Sequence, residues 1–159
     1  MALDAKNNSL EEFWIPFTDN RGFKKDPRLI TEAKGVYMTD HKGGTVIDGS
    51  SGLFCSPAGH CHPKIIESVH KAMQDLTYVS PFGTGHPLSF ALAEEVARMT
   101  PEGLNKIFFV NSGSEAIDTA LKIIMAYNTA CGKNARHFIS RDKAYHGVNI
   151  GGVALSGLV

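Results

Sequence analysis

The segment KIFFVNSGSEAIDTALKI, residues 106–123, constrains the fold of this chain more than any other. Ile107 to Val110 form a short apolar run, which is typical of a strand buried on both faces of a parallel sheet. A burst of small polar residues follows, and then a stretch with helical periodicity. The segment therefore predicts a strand, a tight turn and a helix, which is the beginning of a βαβ unit in an α/β fold.

Two interpretations explain why this helix should begin at residues 112–115. Ser112 at the N-cap with Glu115 three residues later fits a capping box, which stabilises a helix and implies no function. Capping leaves Gly113 unexplained, because glycine weakens a helix relative to alanine. A bare helix N-terminus after a parallel strand also allows a phosphate to approach free N–H groups. On these residues alone both interpretations stay open.

Composition bounds the class of protein. The chain has 159 residues, of which 43% are hydrophobic, so it has the length and the apolar content of one globular domain. Basic and acidic residues number 16 each, which predicts neither a nucleic acid nor a membrane surface as a partner. No apolar run approaches the ~20 residues that span a bilayer. The 3 cysteines lack a metal-binding spacing, which predicts reduced thiols, no metal site and a cytoplasmic location.

Patterns elsewhere predict further elements. Residues 28–48 alternate short β-type segments with glycines and predict a small antiparallel meander. Residues 62–76 and 86–99 each carry apolar side chains at helical spacing after a His-Pro pair, and predict two helices. RHFIS, residues 136–140, predicts a second strand, which would complete the βαβ unit with a right-handed crossover.

Three other motifs are ambiguous. GHCHP, residues 59–63, offers histidine and cysteine ligands but no second pair to complete a metal site, and its last histidine suits a helix entry. FGTGHPL, residues 82–88, lacks the third glycine of a dinucleotide-binding fingerprint. RDKAYHG, residues 141–147, follows the second predicted strand, at the edge where ligands bind. Tyr145 could stack there on a planar ligand or simply pack within a loop, and Gly147 would permit close approach.

In combination, FFVNSGSEA and the later AYHG resemble the coenzyme site of class III aminotransferases, fold type I enzymes that use pyridoxal 5'-phosphate. Residues 13–40 and the motifs IDGSSGLFC, GHCHPKI and FGTGHP resemble the ω-amino acid:pyruvate aminotransferase branch, in order and over essentially the whole chain. The resemblance implies an α/β fold with a mainly parallel sheet, preceded by the small antiparallel meander. It implies that residues 1–60 form an N-terminal segment with part of a small domain, and that residues 61–159 form the start of the coenzyme-binding large domain.

The resemblance also assigns site residues by position. Gly113 and Ser114 would hold the coenzyme phosphate, and Tyr145 would stack on its ring with His146 beside it. Apolar side chains would line the substrate pocket, namely Trp14, Phe17, Leu53, Phe54 and Phe82. Phe54 stands where this branch usually has tryptophan, so the preferred amine is left open.

The implied reaction moves an amino group from an amine or ω-amino acid to a pyruvate-like acceptor, in a homodimer in which residues 81–82 reach the other subunit's site. The family's Schiff-base lysine would lie downstream of residue 159, so we expect no catalytic residue in this chain and no activity from it alone. The alternatives are an aminomutase or decarboxylase of the same fold, and a non-catalytic phosphate-binding or dimerisation module.

Overall fold

A computed structural model of the protein describes residues 10–157. The chain divides into two compact units, Met1–Thr84 and Gly85–Val159. The predicted boundary at residue 60 concerns domains of a complete enzyme, and it stays a prediction.

The first unit contains a short helix, a three-stranded sheet and a longer helix. Their bounds are α1 Asn20–Lys25, β1 Ile30–Lys34, β2 Tyr37–Asp40, β3 Thr45–Ile47 and α2 Pro63–Asp75. The sheet is antiparallel in the order β1-β2-β3, which confirms the predicted meander. Pro63 occupies the first turn of α2, where its missing N–H costs no hydrogen bond.

A carboxylate closes the turn between β2 and β3. Asp40 Oδ1 accepts hydrogen bonds from the backbone N–H groups of Lys42 at 2.9 Å and Gly44 at 2.8 Å. The bond from Gly44 is the main cause that lowers the pKa of Asp40 below its ordinary value. Asp40 therefore stabilises this hairpin by local contacts alone.

The second unit contains three helices, α3 Pro87–Met99, α4 Gly113–Ala130 and α5 Ile150–Leu155. The predicted helices at 86–99 and after residue 113 are confirmed, each with a polar side chain at its N-cap. Gly132, with a φ of +68°, follows the end of α4 in the conformation that glycine adopts most readily. The sequence patterns did not predict α5, which packs against α4.

The two segments predicted as parallel strands differ from expectation. Residues 104–110 and 133–141 run as irregular chain and form no ladder within the described part of the molecule. A strand exists only through hydrogen bonds to a neighbour, and neither segment has such a neighbour among residues 10–157. The strands predicted at 107–110 and 136–140 are therefore not formed among the described residues, because an apolar pattern does not supply the neighbouring strand.

Neither unit encloses an apolar core among the described residues, since none of their hydrophobic side chains is fully buried. The apolar side of α2 illustrates this, with Ile65 and Val69 each about half exposed. The same described residues contain no helix that is long and apolar enough to cross a bilayer. The predicted cytoplasmic location stays a prediction.

Candidate functional site

The N-terminus of α4 is capped as its sequence indicates, with one difference. Ser112 Oγ accepts a hydrogen bond from the backbone N–H of Glu115 at 3.1 Å. The Glu115 carboxylate accepts from the backbone N–H of Asn111 at 2.9 Å, one residue before the N-cap donor of a standard capping box. The capping interpretation therefore explains Ser112 and Glu115.

Two donors at this helix end remain after capping. The first intrahelical bond runs from Ala116 N to Ser112 O at 3.1 Å, which leaves the backbone N–H groups of Gly113 and Ser114. Neither N–H group has an acceptor within residues 10–157. A Cβ atom placed on Gly113 would meet nothing within 4 Å, so packing does not require a glycine there. An anion approaching the bare backbone would give both the donors and the glycine a role.

The hydroxyl of Ser114 joins α4 to the segment that contains Tyr145. Ser114 Oγ accepts a hydrogen bond from the backbone N–H of Val148 at 3.0 Å. Its own hydrogen is then available to donate to a ligand, since a serine hydroxyl both accepts and donates. The two segments that the sequence predicted to share one edge thus lie side by side.

Gly147 makes this contact possible. It is buried, its φ is +128°, and a Cβ on it would lie 2.8 Å from Ser114 Oγ and 2.9 Å from Ser114 Cα. Any side chain would therefore clash with the backbone of α4 in a conformation that L-residues rarely adopt. Gly147 is the point of closest approach between the Tyr145 segment and the end of α4.

Helix α5 fixes the same segment from its other side. The backbone N–H of His146 donates to Ser156 Oγ at 2.9 Å, and Gly152 N donates to Asp118 Oδ1 on α4 at 3.1 Å. The sequence patterns missed both Asp118 and Ser156. Asp118 lies four residues after Ser114, so the two side chains occupy one face of α4 and both bind the chain that follows Tyr145.

The side chains of Tyr145 and His146 differ in their surroundings. Tyr145 is 56% exposed, which leaves a face of its ring free for a planar ligand. Nε2 of His146 is shielded from solvent and has no hydrogen-bond partner within the described chain. The geometry therefore fits a planar ligand that carries a phosphate. The individual assignments of Gly113, Ser114, Tyr145 and His146 stay predictions.

The residues predicted to line a substrate pocket all lie in the first unit. They are between 73% and 91% exposed: Trp14, Phe17, Leu53, Phe54 and Phe82. The structure brings Leu53 and Phe54 together on one turn, and it places Trp14 and Phe17 on the segment before α1 and Phe82 on the loop before α3. Their roles toward substrate also stay predictions.

The turn that carries Leu53 and Phe54 has an unusual backbone. Residues 51–54 have consecutive φ values of +52°, +59°, +54° and +70°, and only the second residue is glycine. Phe54 N donates to Ser50 O at 2.9 Å, which closes a left-handed turn. Such a conformation costs roughly 1–2 kcal/mol for each residue with a side chain. Strain of this kind persists only where neighbouring contacts impose it, and it concentrates at functional sites.

Asp48 makes contacts that hold the backbone of residues 51–54 in this strained conformation. Its carboxylate accepts hydrogen bonds from Ser50 N at 3.1 Å, Ser50 Oγ at 2.9 Å and Gly52 N at 2.6 Å, and lies 2.7 Å from His60 Nε2. The Asp48 side chain is only 4% exposed. The hydrogen bond with His60, followed by those from Ser50, lowers the pKa of Asp48 from 3.8 to about 2. The carboxylate is therefore ionised at neutral pH and acts as a fixed acceptor.

His60 is itself held by the sheet region. Its backbone exchanges two hydrogen bonds with Gly35, at 2.8 Å and 3.0 Å, in an isolated bridge. His62 of the same GHCHP motif stands at the N-cap of α2. No three metal-ligating side chains form a group among residues 10–157. The GHCHP motif thus binds Asp48 and starts a helix. The Asp-Gly-Ser-Ser-Gly pattern could have indicated the role of the Asp48 carboxylate, because aspartate often binds the backbone of a following turn.

Comparison with known proteins identifies the family: residues 19–158 match the class III aminotransferases, and the chain belongs to that family. An omega-aminotransferase of Caulobacter vibrioides is 46% identical over 98% of this chain and 36% of its own length. The beta-alanine–pyruvate aminotransferase of Pseudomonas aeruginosa is 44% identical over 94% and 34%. The omega transaminase of Pseudomonas jessenii, solved in complex with PMP, superposes with a TM-score of 0.88 and 33% identity, over 94% of this chain and 34% of that one.

These findings confirm the predicted fold class, since the similar solved structures are aminotransferases. Enzymes of class III depend on pyridoxal 5'-phosphate. The chain spans about a third of the length of the curated relatives it matches.

Proposed function

We propose that the complete protein is an aminotransferase that moves an amino group from an amine or ω-amino acid to pyruvate or a similar acceptor. The observation that carries this proposal is the pair of N–H groups at Gly113 and Ser114 that find no acceptor within residues 10–157, next to the segment that contains Tyr145, in a chain of the class III family. Relatives named for β-alanine and pyruvate support the choice of substrates.

The residues at α4 would bind and orient the coenzyme. The N–H groups of Gly113 and Ser114 and the Ser114 hydroxyl would donate to its phosphate, helped by the positive end of the helix dipole. Tyr145 would cover one face of the ring, and His146 would lie beside it. When bound, pyridoxal 5'-phosphate supplies the electron sink that lets an amino group pass from donor to acceptor.

The residues of the first unit would meet the donor. Leu53 and Phe54 present large apolar side chains from a rigid turn, which suits an amine with an apolar substituent or a short carbon chain. Trp14, Phe17 and Phe82 would complete the apolar surface around it. Phenylalanine at position 54 occupies less volume than tryptophan, so it favours a larger donor than relatives with tryptophan accept.

The test is a coupled assay with the complete protein, pyridoxal 5'-phosphate, β-alanine and pyruvate. We expect alanine to form only when donor and acceptor are both present, because the amino group must be taken from one and given to the other. Carbon dioxide release or an isomerised amine without pyruvate would instead support the decarboxylase or the aminomutase. Coenzyme binding without any turnover would support a non-catalytic module.

We also propose that the complete protein is a homodimer. Phe82 is 91% exposed, and each unit taken by itself exposes other large apolar side chains, which suit an interface. Obligate dimers commonly bury more than ~2,000 Å² in total. Sedimentation velocity should give the mass of two chains at micromolar concentration, and a fully active species with the mass of one chain would contradict the proposal.

A further inference from the structure

The carboxylate of Asp48 helps to hold the strained turn at residues 51–54, and this observation extends the proposed function. Within residues 10–157, every hydrogen bond that Asp48 Oδ1 and Oδ2 accept comes from residues 50, 52 and 60. Two of these donors are backbone N–H groups inside or next to the turn. Asp48 thereby fixes the path of the chain immediately before Leu53 and Phe54.

We propose that Asp48 and His60 are positioning residues that set the direction in which Leu53 and Phe54 face the amine donor. The inference rests on the proposed aminotransferase function, because it assumes that Phe54 meets the donor. Asp48 makes no hydrogen bond to Leu53 or Phe54 within residues 10–157, and it acts through the backbone of residues 50–52.

Backbone hydrogen bonds hold both Asp48 and His60 in place. Two backbone hydrogen bonds join His60 to Gly35, so the position of His60 is fixed by the sheet region. Asp48 directly follows the end of β3 at Ile47, and its backbone N–H donates to Val36 O at 2.8 Å. The backbone of Ser51, Leu53 and Phe54 is held at positive φ. Without the carboxylate it would lose contacts that oppose its return to an ordinary conformation.

A simpler interpretation is that Asp48 only stabilises the fold, as Asp40 does in its hairpin. Asp40 offers a matched control, because it also accepts two backbone N–H bonds in the first unit and closes a turn without positive φ at a bulky residue. The two aspartates share a chemistry and differ in the residues whose backbone they hold. Of the two aspartates, we therefore expect only Asp48 to affect how the donor is met.

The experiment compares Asp48→Asn, Asp40→Asn, Phe54→Ala and the double variant Asp48→Asn/Phe54→Ala in the complete protein. Donors are β-alanine and benzylamine with pyruvate as acceptor, and coenzyme affinity is measured separately on the apoprotein. We expect Asp48→Asn to lower kcat/KM roughly 10-fold, since small misplacements of contact groups have effects of this size. Coenzyme affinity should stay within twofold, and Asp40→Asn should match the wild type in both measurements.

The double variant distinguishes positioning from stabilisation. If Asp48 acts through Phe54, the Phe54→Ala change should have less effect when Asp48 is already replaced, which is the non-additivity of coupled residues. Additive effects, or an Asp48→Asn variant with wild-type kinetics, would overturn the inference while leaving the proposed function intact. A wild-type protein that forms no alanine would overturn the proposed function itself. If Asp48→Asn does not fold, His60→Phe replaces it in the experiment, because this variant removes a single side-chain bond. We expect it to show a smaller loss of kcat/KM. Wild-type kinetics for His60→Phe would equally overturn the inference.

Discussion

Replacing Gly147 by alanine is expected to weaken the binding of pyridoxal 5'-phosphate to the complete protein by at least roughly 100-fold. The new Cβ would lie 2.9 Å from Ser114 Cα, and the φ of +128° is unfavourable for any L-residue. The segment from Tyr145 to Val148 would have to move away from α4. It would then lose the bond from Val148 N to Ser114 Oγ and carry the Tyr145 ring out of position. Titration of the apoprotein by absorbance or fluorescence measures this loss.

Gly132→Ala is the control for backbone strain. Gly132 also has a positive φ, of +68°, but a Cβ on it would meet nothing within 4 Å. We expect this variant to lose about 1 kcal/mol of stability and to keep its coenzyme affinity, because it stands at the far end of α4. Equal affinity in Gly147→Ala and the wild type would show that the close contact has no part in the site.

Replacing Ser114 by alanine is expected to weaken coenzyme binding by roughly 1.5–3 kcal/mol, which is the range for a hydrogen bond to a charged group. The variant keeps both backbone N–H groups and loses the hydroxyl. That hydroxyl accepts from Val148 and would donate to the phosphate, so its removal affects the ligand contact and the neighbouring segment together. The measurement is again the dissociation constant of the apoprotein for the coenzyme.

The variants Ser112→Ala and Ser114→Thr test whether the effect of Ser114→Ala on coenzyme affinity is due to the lost hydroxyl. Ser112 caps α4 through Glu115 N, so its loss should cost about 1 kcal/mol of stability and change coenzyme affinity little. Ser114→Thr retains a hydroxyl and should recover much of the affinity. Similar affinities in the two alanine variants would argue that helix capping, and no specific phosphate contact, governs binding.

Local patterns in the sequence were sufficient for the elements whose stability is local. The helices α2 and α3 follow from apolar periodicity behind His-Pro, and the meander follows from glycines between short β-type segments. Ser112 caps α4 because the capping bond needs only residues that are three apart. Such interactions depend on spacing along the chain, and spacing is what a sequence records.

Features that depend on distant partners could not be predicted in the same way. The apolar run at 107–110 predicts a strand, yet a strand also needs a neighbour, and residues 10–157 supply none. Helix α5 has six residues with two glycines, so its periodicity is too short to indicate a helix. Its place is fixed by Asp118 and Ser156, whose bonding to segments far along the chain leaves no regular pattern.

The sequence indicates some residues of the candidate site and leaves others unmarked. Gly113 stands out because glycine weakens a helix, and the resemblance assigns Gly113, Ser114 and Tyr145 to the coenzyme, which stays a prediction. The left-handed turn at 51–54 was unexpected, since serine, leucine and phenylalanine disfavour positive φ. Hydrogen bonds around the turn overcome that preference, from Ser50 N and Gly52 N to the Asp48 carboxylate and from Phe54 N to Ser50 O, and together they depend on three-dimensional contacts.

The division of the chain into two compact units has a consequence for how such an enzyme can diversify. The residues proposed to meet the donor all precede position 85, and those proposed to hold the coenzyme all come after it. The turn that carries Leu53 and Phe54 is bound by Asp48 within the first unit, and the segment that carries Tyr145 is bound through Ser114 and Ser156 within the second. On the proposed assignment, a mutagenesis library confined to Trp14, Phe17 and residues 53–54 would explore new amines and leave the residues proposed to bind the phosphate unchanged. Selection would act on the same separation, altering the proposed amine donor without changing the proposed coenzyme site.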